Sequence, residues 1–369
     1  MRARQVRRYG VTVLLVLLAH ALAPLNLAAE VTSSVTITGY NTLYYTGDPE
    51  DPVDVAAVLN SSLSVDSADN KNVKAYFQLD SSITDVVTFD VSQAYIKVRF
   101  PWFRLTLGKT RVSWGDGFVF NAGDVLFASM DTISGDLFAA TLRDETAWLV
   151  AVNLPVGPFS FLEAVFLPYD PLGLEDSSYA LSGGARGVFK LDRIDTTLEL
   201  GYLASSPYEE HRPYVSLHGH LLVDWNLSAS MAIPMGDLQW QQWDEWLGIS
   251  AGMFHLINLG LNRTLSFRLE AALRPGAEWQ ATSGGTDYAL FLFPEVAFSP
   301  TDTLSLQLRS FVSPLDQSGL LMVGASWNVF QGLDLFSYAT FMAGQWKRDY
   351  FSLDQEGSIS WTAGLEFVY

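Results

Sequence analysis

From Val35 onward the chain alternates apolar and polar residues in short runs, broken by clusters of Pro, Gly, Asp and Asn. A period of two puts successive side chains on opposite faces of a strand. The clearest hairpin sets Ala94, Ile96, Val98 and Phe100 against Gln93, Tyr95, Lys97 and Arg99; Pro101-Trp102 turns the chain, and Phe103, Leu105 and Leu107 resume the apolar face. At the C-terminus Ile359, Trp361, Ala363, Leu365, Phe367 and Tyr369 alternate with Ser358, Ser360, Thr362, Gly364 and Glu366. Similar runs recur from Val73, Glu145, Phe159, Tyr179, Thr196, Pro213, Leu227, Leu247, Thr264, Tyr288, Thr303, Leu320 and Leu333, whereas Leu59 to Val65 is faint. Helical periodicity is sustained nowhere, so the pattern predicts an all-β chain.

The connections between runs predict how the strands close. Short ones fall near Ala68, Pro101, Pro155, Asp192, Asp224, Leu259, Pro300 and Gln331, with longer acidic or Gly-rich ones between them. Eight short turns with both termini at the same end predict an up-and-down antiparallel barrel of 18 strands, with sixteen as the alternative count. From Trp361 to Tyr369 is about 26 Å of strand, which at a tilt of about 40° covers about 20 Å, close to the ~25 Å apolar band of a membrane barrel. Trp361 and Tyr369 would then sit at the two aromatic girdles.

Composition fits this reading. The 369 residues are 49% hydrophobic, 13% aromatic and only 17% charged, against a usual ~25% charged. Arg2, Arg4, Arg7 and Arg8 precede the short apolar run Val11 to Ala19, and Ala28-Ala29 offers a small-residue cleavage site; residues 1–29 are expected to be a secretory signal and residues 30–369 a single barrel domain. No later stretch is apolar enough to cross a bilayer as a helix, so a membrane-integral chain must cross as a closed barrel. Cysteine is absent, consistent with a fold that needs no disulfide in an oxidising compartment. Loss of four arginines with the signal takes the formal charge from -18 to -22, which argues against nucleic acid as a partner.

Two stretches carry a resemblance. Thr362-x-Gly364-x-x-Phe367-x-Tyr369 resembles the C-terminal assembly signal of Gram-negative outer-membrane barrels. That likeness implies an outer-membrane location, contact with outer-membrane lipid and recognition by the barrel assembly machinery. The segment from Leu107 through Trp114-Gly-x-Gly to Asn121-x-x-Asp124 resembles the third loop of porin-like channels, which often folds into the pore. The likeness makes Asp116, Asn121, Asp124 and Asp131, within an inward loop around 113–136, candidates for a constriction. The alternative is a lid packed over the barrel mouth.

Strand parity puts Lys74, Lys97, Arg99, Arg104, Arg186, Lys190, Arg268, Arg274 and Arg309 on the non-lipid face, together with Asp80, Glu199, Glu270 and Glu366. Such charges line a polar lumen and set ion preference, or cross-link it by ion pairs. Lys109 and Arg111 share the apolar parity of Leu105 and Leu107, so either Gly108 introduces a bulge or both lie above the membrane. Enzymatic constellations are poor: His218 and His220 share a face with Ser216, but no third ligand or carboxylate stands at a telling spacing. Neither a catalytic site nor a cofactor is expected. Passive passage of small hydrophilic solutes is the leading expectation. The alternatives are a transporter or exporter of a more hydrophobic or polymeric substrate, hinted at by Phe291, Phe293, Phe336 and Tyr338, and a structural or adhesive surface barrel. Oligomeric state leaves no readable trace.

Overall fold

In the computed structural model, residues 31–45, 53–67, 72–127, 142–143, 145–168, 181–206, 208–236, 240–280, 288–343 and 359–369 are described. The proposed signal, residues 1–29, lies outside them. The strands in chain order are β1 (Val31–Tyr45), β2 (Val53–Ser67), β3 (Val73–Ile83), β4 (Val87–Arg99), β5 (Arg104–Thr110), β6 (Ala147–Gly157), β7 (Ser160–Leu167), β8 (Ser182–Leu191), β9 (Thr196–Ser205) and β10 (Glu210–His220). They continue as β11 (Asp224–Met231), β12 (Ile233–Pro234), β13 (Leu247–Gly260), β14 (Arg263–Leu273), β15 (Leu290–Ser299), β16 (Leu304–Ser313), β17 (Ser318–Phe330), β18 (Leu333–Ala343) and β19 (Ile359–Val368). Each pairs antiparallel with its chain neighbours, except that β12 extends β11 past Ala232 against the same partner, β10. The described wall therefore has 18 staves. It closes where β1 pairs with β2 on one side and with β19 on the other, from Thr36 opposite Val368 to Tyr45 opposite Ile359. Closure gives every strand two partners and leaves no edge.

The faint run at Leu59 belongs to the 15-residue strand β2, whose Ser61, Ser62 and Ser64 dilute the alternation. One end of the barrel carries the short turns at 100–103, 158–159, 192–195, 221–223, 261–262, 300–303 and 331–332. The other end is less uniform than the sequence suggests. Its connections at 84–86, 206–209 and 314–317 are as short as the turns opposite. At the last, Asp316 Oδ1 accepts from the Ser318 N–H (3.1 Å) and hydroxyl (2.7 Å), and Gln317 takes a left-handed φ of 57°, which closes a hairpin in four residues.

Outward positions are apolar around the whole wall: Phe77, Ile96, Leu107, Leu162, Phe166, Leu200, Leu227, Phe267, Leu308, Val323 and Leu365 are all exposed. A continuous belt of this kind suits acyl chains, not water. Trp361 and Tyr369 stand exposed at opposite ends of the last crossing. Gly364 has its own reason on the inner face. Its register partners are Tyr40 and Phe336, and a Cβ there would come within 2.5 Å of Gly39 O and 2.6 Å of the Phe336 and Tyr40 side chains. The Phe336 ring and the Tyr40 Cβ occupy the space that a side chain would need, as an aromatic does beside a strand glycine.

Candidate functional site

The barrel is not hollow, because the segment after β5 turns into it. Gly108 takes φ +124°, and a Cβ there would meet Ala94 O at 2.1 Å. Beyond it Lys109 reaches Asp90 at 3.3 Å on the luminal side, and Arg111 reaches Asp124 and Glu145. The bulge expected as one alternative at Gly108 is not formed: Gly108 lies inside β5 and stays in register with Tyr95 and Leu149, and Lys109 and Arg111 stand at and just beyond the end of the strand. The wall then captures the segment group by group. Arg186 Nη1 donates to Ser113 O (2.8 Å), and the Trp114 indole N–H donates to Glu163 Oε1 (3.0 Å). The Gly115 N–H donates to Glu199 Oε1 (2.9 Å). Three consecutive amides, those of Phe118, Val119 and Phe120, donate to the Glu270 carboxylate at 2.7, 2.7 and 2.9 Å. The Ala122 N–H donates to Ser250 Oγ at 2.9 Å, and Arg212 Nη1 donates to Val125 O at 3.2 Å. Gly115 sits at φ +67° with Gly123 against it, so a Cβ would lie 2.5 Å from Asn121 Oδ1; the turn requires glycine.

Apolar contacts hold both halves of the segment. Val119, Phe120 and Ala122 pack with Ala272, Phe291, Phe293, Phe311, Leu320 and Met322 on β14 to β17. Trp114, Val125, Leu126 and Phe127 pack with Leu149, Ala151, Val165, Leu203 and Tyr214 on β6 to β10. The segment thus bridges two opposed walls, and its side chains cover inward apolar positions that a water-filled barrel would otherwise expose. Phe291 and Phe293 are accordingly a docking surface for the segment. Phe336 lies over Gly364, and Tyr338 packs at the margin of the first cluster, so these four aromatics do not form an open apolar track.

The constriction candidates separate by environment. Asn121 is buried, its Nδ2 donating to Trp114 O (2.9 Å) and its Oδ1 accepting from the Gly123 N–H (3.0 Å). The Asp124 side chain is 0% exposed between Arg111 and Arg143. Burial pulls the Arg143 guanidinium below its usual pKa, and the Asp124 charge opposes that shift. Both residues hold the segment's own shape. Asp116, with a side chain 52% exposed, faces the lumen 3.9 Å from His218 Nδ1. Asp131 lies outside the described residues.

The basic candidates separate as well. Arg186 bonds Glu163 and Glu199, both at 2.8 Å. Arg309 and Arg268 share Glu295, and Arg268 also lies over the Phe118 ring, 3.6 Å from its centroid. Lys190 pairs with Asp195 at the short-turn end. Arg274 follows β14, its N–H donating to Ala289 O at 2.8 Å. Lys74, Lys97, Arg99 and Arg104 stand exposed together on β3, β4 and β5. Alternation alone misses Glu163 and Glu295, and it does not identify Glu270 as an anchor. The available signal is a lone carboxylate on the inward parity of an otherwise apolar strand, as in Leu269-Glu270-Ala271-Ala272.

Among the described residues two cavities open on the inner face, one against the segment and one apart from it. One of about 570 Å³ is lined by Asp116, Thr197, His218, Asn226, Phe254 and Arg268. Another of about 400 Å³ lies against β1 to β4, between Thr38, Asn60, Ser62, Asp80, Thr88 and Asp90. His220 bonds Asp224 at 2.8 Å, and Ser216 bonds Ser228 at 2.8 Å, so neither joins His218 in a nucleophile–base pair. Among the described residues no group of three or more His, Asp or Glu could hold a metal ion.

No protein-family model and no curated protein matches the sequence. Solved structures match the fold. OccAB3 of Acinetobacter baumannii superposes with a TM-score of 0.56 at 9% identity, covering 92% of this chain and 99% of that one. OccAB4 of the same organism gives 0.57 at 8% identity, covering 92% and 98%. A mutant of Rh. blastica porin gives 0.48 at 8% identity, covering 92% and 100%. The chain therefore has the fold of OccAB3 and OccAB4: an antiparallel β-barrel closed on itself and spanned by an apolar belt.

Proposed function

We propose that this chain is an outer-membrane channel through which small hydrophilic solutes pass without chemical change. The observation that carries the reading is the interior: a closed barrel crossed by an anchored segment, with one cavity lined by polar side chains beside the segment and another against β1 to β4. In the full proposal residues 1–29 are removed on export, the apolar belt contacts outer-membrane lipid, and Thr362, Gly364, Phe367 and Tyr369 are read by the barrel assembly machinery. Asp116 is the residue assigned to the narrowest open passage, because among the described carboxylates of the segment it is the one that faces open lumen. Passage is passive, with no cofactor and no catalytic group. Planar-bilayer recording of the purified protein tests this reading: stepwise single-channel currents are expected, and silent membranes carrying correctly folded protein would refute it. Charging Phe367, as Phe367→Asp, should block assembly while leaving secretion intact; normal surface levels would remove the assembly signal from the proposal.

A further inference from the structure

On β3 to β5 the inward residues pair like with like across the ladder. Arg99 stands opposite Arg104, Lys74 opposite Lys97, Tyr76 opposite Tyr95, and Gln78 opposite Gln93. Ile96 and Leu107, opposite each other on the other parity, belong to the exposed outer belt, which places the four cations on the luminal face near the turn at 100–103. Like charges directly across a ladder destabilise it, and here two such rungs are adjacent, separated by two residues or about 6.6 Å of strand. Among the described residues one carboxylate bonds them, Asp66 to Lys74 at 2.9 Å, and Glu163 acts on Lys97 through space without a bond. The Lys97 ammonium lies over the Tyr95 ring, 4.7 Å from its centroid, and among the described residues Lys97, Arg99 and Arg104 make no ion pair. Arg186, Arg268 and Arg309, by contrast, each rest on a glutamate. Among the described residues the patch therefore carries about +3 that no bonded carboxylate neutralises, on an inner surface otherwise dotted with acids.

We propose that Lys74, Lys97, Arg99 and Arg104 form an anion subsite at the short-turn mouth of the barrel for a phosphate-bearing solute. The solute's route to the site rests on the channel reading above; the site itself does not. A monocarboxylate would neutralise one of the excess charges, whereas a phosphate ester or diphosphate brings two or more charges and enough oxygens to meet two guanidinium forks at once. The same phosphate chemistry could come from a lipid headgroup at the rim, so the test must separate the two sources.

Pyrophosphate is titrated calorimetrically into the folded barrel at low ionic strength, in detergent and in nanodiscs of zwitterionic or anionic lipid. One saturable site is expected, with acetate at least tenfold weaker. Arg99→Gln with Arg104→Gln should weaken binding at least tenfold, and Arg263→Gln, a rim arginine on the outward parity of Phe267 and Leu269, should leave it unchanged. Heat-dependent gel mobility confirms that each variant folds, and Lys97→Gln replaces the double variant if that one does not. Absent saturation, equal loss in Arg263→Gln, or acetate binding as tight as pyrophosphate would overturn the proposal. Loss of pyrophosphate binding in anionic nanodiscs alone would assign the site to headgroups and overturn the solute version. Protein that conducts but does not bind refutes the subsite alone; protein that binds but never conducts refutes the channel reading and leaves the subsite standing.

Discussion

Two aspartates eight residues apart show how little residue type says without environment. Asp116 and Asp124 lie on one segment and read alike in the sequence, yet the Asp124 side chain is 0% exposed and the Asp116 side chain 52% exposed. Asp124→Asn leaves the guanidinium groups of Arg111 and Arg143 without their shared buried counter-charge, a change that costs about 3–5 kcal/mol. Its expected outcome is a segment cut more readily by protease, with a lower midpoint of thermal unfolding. Asp116→Asn touches no buried pair and should change stability by less than about 0.5 kcal/mol, while moving the zero-current potential toward anions in a salt gradient. If the two variants exchanged phenotypes, the assignment of open and buried carboxylates would be wrong. Leu365 supplies the matching test of the outer face: Leu365→Arg places a charge among exposed apolar neighbours and should cost about 2–4 kcal/mol if it lies near the membrane midplane, measured as the shift in urea midpoint in liposomes.

At the scale of elements, the strands were legible because period-two alternation is imposed by the wall itself: one face meets apolar surroundings and the other the lumen. The run that starts at Leu333 becomes the strand that starts at Leu333. Legibility failed where inward positions are apolar, since Phe291, Phe293 and Leu320 then give both faces the same character. What makes them inward is the segment 113–127, far away in sequence, and no local pattern announces that contact. Phe118, Val119, Phe120 and Phe127 make the segment more apolar than a solvated loop, but they do not say which wall receives it. Glu270 is the element that decides. Its carboxylate, 3% exposed as a residue, collects three successive amides, and Glu270→Ala would strand them at about 1–3 kcal/mol each. The expected result is release of the segment's first half from β14, larger single-channel currents and entry of bulkier solutes, with the barrel's heat-dependent gel shift retained. Unchanged currents with a folded barrel would show that the apolar cluster alone holds the segment.

Across the whole molecule, the part of the lumen formed by β3 to β5 is the part whose fixed charge is sorted along the axis. The four cations lie near the short turns, while Asp80 and Asp90 face a cavity farther in, toward the connection at 84–86; most remaining arginines of the described residues are consumed by carboxylates under the segment. A pore with opposite fixed charge at its mouth and interior accumulates different counter-ions at the two places, so one voltage polarity enriches mobile ions in the passage and the other depletes them. The current–voltage curve should therefore be asymmetric when the Debye length is about 10 Å, near 0.1 M salt, and close to symmetric at 1 M, where it is about 3 Å. Arg99→Gln with Arg104→Gln should reduce the asymmetry by removing its positive end, and Asp80→Asn with Asp90→Asn by removing part of its negative end. The relevant measurement is the ratio of currents at equal and opposite voltages, with the protein inserted in one orientation. A ratio that ignores salt concentration would mean the asymmetry arises from the shape of the passage and not its charge, and a ratio of one at low salt would mean that the two charged regions do not lie on the same conducting path.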